Sequence, residues 1–196
     1  MNDPLARCWW SGADGARPDP RMVAYHDDEW GGPCHDDVEL FERLALESFQ
    51  AGLSWSTILY KRAAFRAAFR GFSPVVVAQF NDDDRDRLMA DAGIVRNRAK
   101  IDATISNAGA YLSTAHAFGA FDSYLATMVP DPPARLAAGA TSADVPATTP
   151  VSDALSADLR ERGFRFVGST IVYAFMQSVG LVDDHVPGCF RFGVTR

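Results

Sequence analysis

Asp36-Asp37-Val38-Glu39-Leu40-Phe41-Glu42-Arg43-Leu44-Ala45-Leu46-Glu47-Ser48-Phe49-Gln50-Ala51-Gly52-Leu53-Ser54-Trp55 is the stretch from which the fold can be read. The Asp36 side chain can accept from the first N–H groups of a helix and Glu39 can reach back, the pattern of a capping box. Leu40, Phe41, Leu44 and Ala45 recur at helical spacing, so a helix is predicted to run to about Gln50 and to end at Gly52. A second helix begins at Ser54, carries Ile58, Leu59, Phe65 and Phe69 inward, and stops at Gly71. Across the junction stand a carboxylate near the end of an apolar helix (Glu47), a glycine turn and an indole (Trp55). Alone, Glu47 reads as a helix-end acid and Trp55 as core; together they could line a buried pocket.

The same helix, turn, helix grammar continues outward. Ser73-Pro74 reads as N-cap and first helical residue of a short helix through Phe80. Asp82 to Asp91 forms another, its leading acids matched to the helix macrodipole, and Gly93 ends it. Arg96 to Leu112 places Ile101, Ile105, Ala108 and Leu112 on one face, giving helix, tight turn, helix about Gly93. Phe121 to Val129 is helical; the Pro, Ala and Thr-rich stretch 130–150 is a loop with one short helix inside it. Ser152-Asp153 caps a helix that ends at Gly163, and the segment from about Gly168 to Val179, apolar almost all round, is a core helix. Period-two alternation is confined to Phe164-Arg165-Phe166-Val167, so the chain is read as all-α.

With 196 residues and 47% apolar composition, the chain can bury a full core as one domain. No uninterrupted apolar run is long enough to span a bilayer and the first residues lack an apolar signal region, so a cytoplasmic protein with no membrane partner is expected. A net charge of −6 gives no global field that attracts nucleic acid. Any contact with DNA must come from a local group such as Arg96, Arg98 and Lys100, or Lys61, Arg62, Arg66 and Arg70, or Arg160, Arg162 and Arg165, each of which also reads as a solvated helix face.

Three cysteines in a reducing compartment suit free thiols or a metal site. Cys8 and His26 lie near the front, and His185 and Cys189 form a His-x3-Cys pair near the back, a layout that could clasp the two ends around one ion. Cys34 and His35 are an alternative front pair, and spacing leaves both choices open. Tyr25-His26-Asp27-Asp28-Glu29-Trp30-Gly31 adds aromatic and acidic groups beside these ligands.

Cys8 followed by Trp10, Tyr25-His26-Asp27-x-Glu29-Trp30-Gly31, Glu47-x-x-Gln50-Ala51-Gly52-Leu53-Ser54-Trp55, Asp91-Ala92-Gly93-Ile94, Arg162-Gly163-Phe164-x-Phe166-Val167-Gly168 and Asp184-His185-Val186-x-Gly188-Cys189 occur in that order over nearly the whole chain. Together they resemble the 3-methyladenine DNA glycosylase I family. The resemblance implies an all-α helix-hairpin-helix DNA glycosylase fold over residues 1–196. It implies a structural zinc held by Cys8, His26, His185 and Cys189, with Cys34 and His35 matching no ligand position. It further implies a monomer that acts on alkylated double-stranded DNA without a nucleotide cofactor, excising 3-methyladenine and leaving an abasic site.

In that family the residues matching Tyr25, Glu47 and Trp55 form the base pocket, and Trp10 and Trp30 belong to the same aromatic surroundings. An ionised Glu47 would favour the cationic base and Trp55 would offer it a π-face. Because the alkylated base departs neutral, the difficulty lies at C1′ of the sugar, which a carboxylate can stabilise. Asp183 matches the position that carries the catalytic Asp in other helix-hairpin-helix glycosylases, where this family typically has Asn, and is the second catalytic candidate. The hairpin about Gly93, with Arg96, Arg98 and Lys100, is expected to hold a phosphate, although it lacks the proline and second glycine of the general consensus. Leu53 is the expected wedge into the gap left by the flipped base. The rival readings are a non-catalytic helix-hairpin-helix module that recognises damaged DNA, and a zinc hydrolase, which four protein ligands would leave without an open position.

Overall fold

The computed structural model describes residues 5–12 and 18–194, and its architecture is helical almost throughout. In chain order the helices are α1 (Pro20–Asp28), α2 (Asp37–Gln50), α3 (Trp55–Ala68), α4 (Pro74–Val77), α5 (Asp82–Ala90), α6 (Arg98–Phe118), α7 (Phe121–Met128), α8 (Pro150–Glu161) and α9 (Ser169–Ser178). Short 3-10 turns lie at Trp9–Ser11, Arg70–Phe72 and Ser142–Asp144.

Helix α2 is the axis about which the rest is arranged, packing on α3, α6, α7 and α9. Asp36 caps it by accepting from the N–H groups of Val38 and Glu39. Glu39 does not close the capping box; it turns along the helix to Arg43, whose guanidinium also reaches the Ser178 carbonyl. Leu40, Phe41, Leu44 and Phe49 are fully buried on α2, against Phe65 and Phe69 of α3 and Tyr111 of α6. Each large apolar side chain removed from water here contributes about 1.5–3 kcal/mol. At the other end, the buried Lys100 Nζ donates to the carbonyls of Phe49 (2.8 Å) and Ala51 (2.7 Å), groups that a helix C-terminus leaves without partners.

The elements depart from or add to the sequence reading at two helices and at the strands. Helix α1 was not foreseen, although Asp19 caps it and Pro20 opens it. Helix α8 starts at Pro150 with Thr149 as its cap, rather than at Ser152-Asp153, because Thr149 and Ser152 close a reciprocal box one turn earlier. The alternating stretch 164–167 is not a strand; Phe166 has φ 55°, which breaks extended pairing. The strands among the described residues are instead β1 (Ala134–Arg135) and β2 (Val182–Asp183), a two-residue parallel pair that ties the long loop 130–150 to the segment after α9. No described helix is long and apolar enough to cross a membrane.

Candidate functional site

A cavity of about 430 Å³ opens between α1, the end of α2, the start of α3, and α9. Its walls are aromatic: Trp9 and Trp10 from the first 3-10 turn, Tyr25 from α1, Trp30 just after it, and Trp55 at the start of α3. Helix α3 begins at Trp55 because Ser54 caps it by accepting from the Thr57 N–H, and Gly52 at φ 80° makes the turn that brings Trp55 back over α2. The Trp55 and Tyr25 rings lie 4.9 Å apart, Trp10 meets Trp30 edge-on at 4.8 Å, and the buried indole N–H of Trp55 has no partner among the described residues.

Glu47 lines this cavity from α2 and is only 5% exposed. Burial, partly offset by the charge of Arg43, pushes its pKa up to about 8. A pKa there favours the protonated carboxyl at neutral pH, and the cause is a desolvation that depends on the packing around α2. Tyr25 is held as the phenol by burial and by the neighbouring Glu47.

Behind the aromatic wall, Cys8, His26, His185 and Cys189 are all buried and their ligand atoms lie within 4.8 Å of one another. Cys189 Sγ is 3.4 Å from His26 Nε2 and 3.7 Å from His185 Nδ1, and Cys8 Sγ is 3.6 Å from His185 Nδ1. The hydrogen bond to Cys189 and burial push the Cys8 thiol up, while Cys8, despite burial, and the two imidazoles pull the Cys189 thiol down. His26 Nδ1 meets Asp27 at 2.8 Å, and Arg7 holds Asp27 at 2.7 Å, so the imidazole is oriented from behind as metal-binding histidines usually are. This donor set can hold a metal ion. Trp30 packs edge-on against His185 at 4.7 Å, which joins the cluster to the cavity wall. Cys34 lies in the main core and the exposed His35 pairs with Asp122, so neither belongs to the cluster.

Several expected site residues lie elsewhere. Asp183 is not a wall of the aromatic cavity; its carboxylate pairs with Arg135 at 3.2 Å across the β1–β2 register. Asp184, which the sequence offered only as a motif residue, lines the cavity instead, gripped by Tyr173 and Gln177. Lys100 is buried, and its ammonium is given to the carbonyls at the end of α2. The Gly93 N–H is given to Asp91 Oδ1 at 2.7 Å, and a side chain at Gly93 would meet Ala64 Cβ at 3.0 Å, so this glycine lets the hairpin pack closely on α3. Arg96 is exposed, and Arg98 is exposed but paired with Asp86. Leu53 is 43% exposed on the Gly52 turn, beside a shallow groove that shares Glu47, Gln50 and Ala174 with the cavity. Trp9, 49% exposed, and Gln177 are cavity residues that the sequence did not single out.

Residues 15–192 match the model of the methyladenine glycosylase family. DNA-3-methyladenine glycosylase 1 of Escherichia coli strain K12 is 47% identical to this chain over 185 residues, covering 94% of this chain and 96% of that protein. A crystal structure of 3-methyladenine DNA glycosylase I superposes with a TM-score of 0.89 at 44% identity, covering 95% of this chain and 100% of its own. A variant of 3-methyladenine DNA glycosylase I crystallised in complex with 3-methyladenine is similar at a TM-score of 0.87 and 38% identity, with 92% and 96% of the two chains covered.

Proposed function

Because the chain belongs to the methyladenine glycosylase family, we propose that it flips 3-methyladenine out of alkylated double-stranded DNA and hydrolyses the N-glycosidic bond, leaving an abasic site. The observation that carries this reading is a buried carboxyl, Glu47, inside a cavity walled by Trp10, Tyr25, Trp30 and Trp55. A module that only held DNA would need no such chamber, whose volume of about 430 Å³ lies within the range of small-ligand sites.

Selection rests on charge. A base alkylated at N3 is cationic, pairs poorly and costs less to unstack than a normal base. Aromatic faces attract the cation by about 0.5–2 kcal/mol each when desolvated. Entry of the cation beside Glu47 lowers the carboxyl's pKa; its proton passes to solvent and the carboxylate pairs with the positive charge, whereas neutral adenine leaves Glu47 protonated and gains no such pairing. In the reaction the bond between the base nitrogen and C1′ breaks, and its electron pair leaves with the base, which becomes neutral and needs no general acid. Water adds to C1′ and releases its proton to solvent.

DNA is held outside the cavity, with Leu53 entering the vacated step and Arg96 and Arg98 of the helix-hairpin-helix segment meeting the backbone. Cys8, His26, His185 and Cys189 are the residues that would hold a zinc ion. Four protein ligands give such an ion a structural part, bracing the walls that carry Tyr25 and Trp30. The chain works as one monomeric domain in the cytoplasm, without a nucleotide cofactor. The test is incubation with methylated duplex DNA and chromatography of the soluble fraction: free 3-methyladenine is expected, and its absence would refute the proposal.

A further inference from the structure

Gln177 lines the base cavity from α9, and its amide is not free to turn. Nε2 donates to Asp184 Oδ2 at 2.7 Å, and the same oxygen accepts from the Tyr173 hydroxyl at 2.6 Å. Asp184 is 5% exposed and Tyr173 is 3% exposed, so the clamp is internal to the fold. A carboxylate can only accept, so the amide must present its NH2 to Asp184. Its carbonyl Oε1 is then the end left for a ligand, and Oε1 has no hydrogen-bond partner among the described residues. The backbone carbonyl of Gln177 is fixed as well, accepting from Gly31 N at 3.1 Å. The cavity wall thus includes a pre-oriented neutral acceptor, distinct from the titratable Glu47.

We infer that Gln177 is a specificity-determining residue whose locked carbonyl selects purines carrying an exocyclic amine at position 6 over those carrying a carbonyl there, with Asp184 as its positioning residue. This deepens the glycosylase reading of the same cavity and rests on it. An amine at position 6 donates to Oε1, whereas a carbonyl would bring two acceptors together and leave both desolvated, the arrangement by which a polar site rejects a near-isostere. Among alkylated bases, 3-methyladenine is therefore accepted and 3-methylguanine disfavoured, by a contact independent of the positive charge they share.

The experiment measures binding of free 3-methyladenine and free 3-methylhypoxanthine, which differ in amine against carbonyl at position 6, together with base release from methylated DNA. The wild-type chain is expected to prefer 3-methyladenine by about 10- to 100-fold. Gln177→Leu should lose most of that affinity while binding 3-methylhypoxanthine within about twofold of wild type, so the ratio approaches one. Asp184→Asn should also lower the ratio, because its amide can donate to Oε1 and let Gln177 turn over. Wild-type discrimination retained in Gln177→Leu, or a wild-type ratio near one, would overturn the inference. If Gln177→Leu does not fold by thermal melting, an unchanged ratio in Asp184→Asn overturns it instead. Wild-type protein that releases no base from methylated DNA brings down the glycosylase reading and the inference with it; release accompanied by a ratio near one brings down the inference alone.

Discussion

Glu47 couples the site to the stability of the fold. Its pKa rises from 4.5 to about 8 on folding, so the native state takes up a proton that the unfolded chain lacks between those values. Stability is then highest below the unfolded pKa and declines as pH rises toward the folded one. Glu47→Gln removes the charge and should be progressively more stable than wild type as pH rises from about 5 to about 9, measured as melting temperature; parallel curves would mean the carboxyl is solvated in the native state. The same substitution should slow single-turnover excision by about 100-fold while leaving DNA affinity nearly unchanged, and equal losses in both would assign Glu47 to the fold alone. This residue's place in a pocket was legible in the sequence because a carboxylate beside a glycine turn and an indole is an unusual grouping. Its protonation state was not, because desolvation depends on how α1, α3 and α9 close over it.

At the scale of elements, the caps and apolar spacings of α2, α3 and α9 were readable because they are local. What the sequence leaves open involves partners distant in sequence. Lys100 stands among cations in the sequence, and α6 packs its ammonium onto the end of α2. Lys100→Met should cost about 1–3 kcal/mol of stability by leaving the Phe49 and Ala51 carbonyls unpaired, with no change in the salt dependence of DNA binding. Arg96→Ala should leave the melting temperature alone and reduce the salt slope by about one; the opposite assignment of effects would restore Lys100 to the DNA face. Asp183 and Asp184 could not be told apart in sequence, since only the β1–β2 pairing turns the first toward Arg135 and only α9 fixes the second. Gly31 is a further element junction: at φ 73° its added Cβ would stand 2.9 Å from His185 Nε2. Gly31→Ala should therefore weaken metal retention and lower the melting temperature, and metal content by elemental analysis equal to wild type would contradict this.

Across the whole molecule, the Cys and His cluster connects residues near both ends of the described chain at the back of the chamber, while α2 and α3 supply its front. Under the proposed function, an acidic protein of net charge −6 works on DNA by concentrating recognition in a cavity for one base, with few cations needed outside it. The cluster was foreseen as a set of ligands, yet its contact with the cavity through Trp30 and His185 follows from packing that no spacing encodes. The central claim is that this chamber extracts and releases a cationic purine. It is tested most directly by incubating the protein with methylated duplex DNA and identifying the released product. Free 3-methyladenine and a matching number of abasic sites from the wild-type chain, with release strongly slowed in Glu47→Gln, is the predicted result; DNA bound but left with all of its methylated adenine would contradict it.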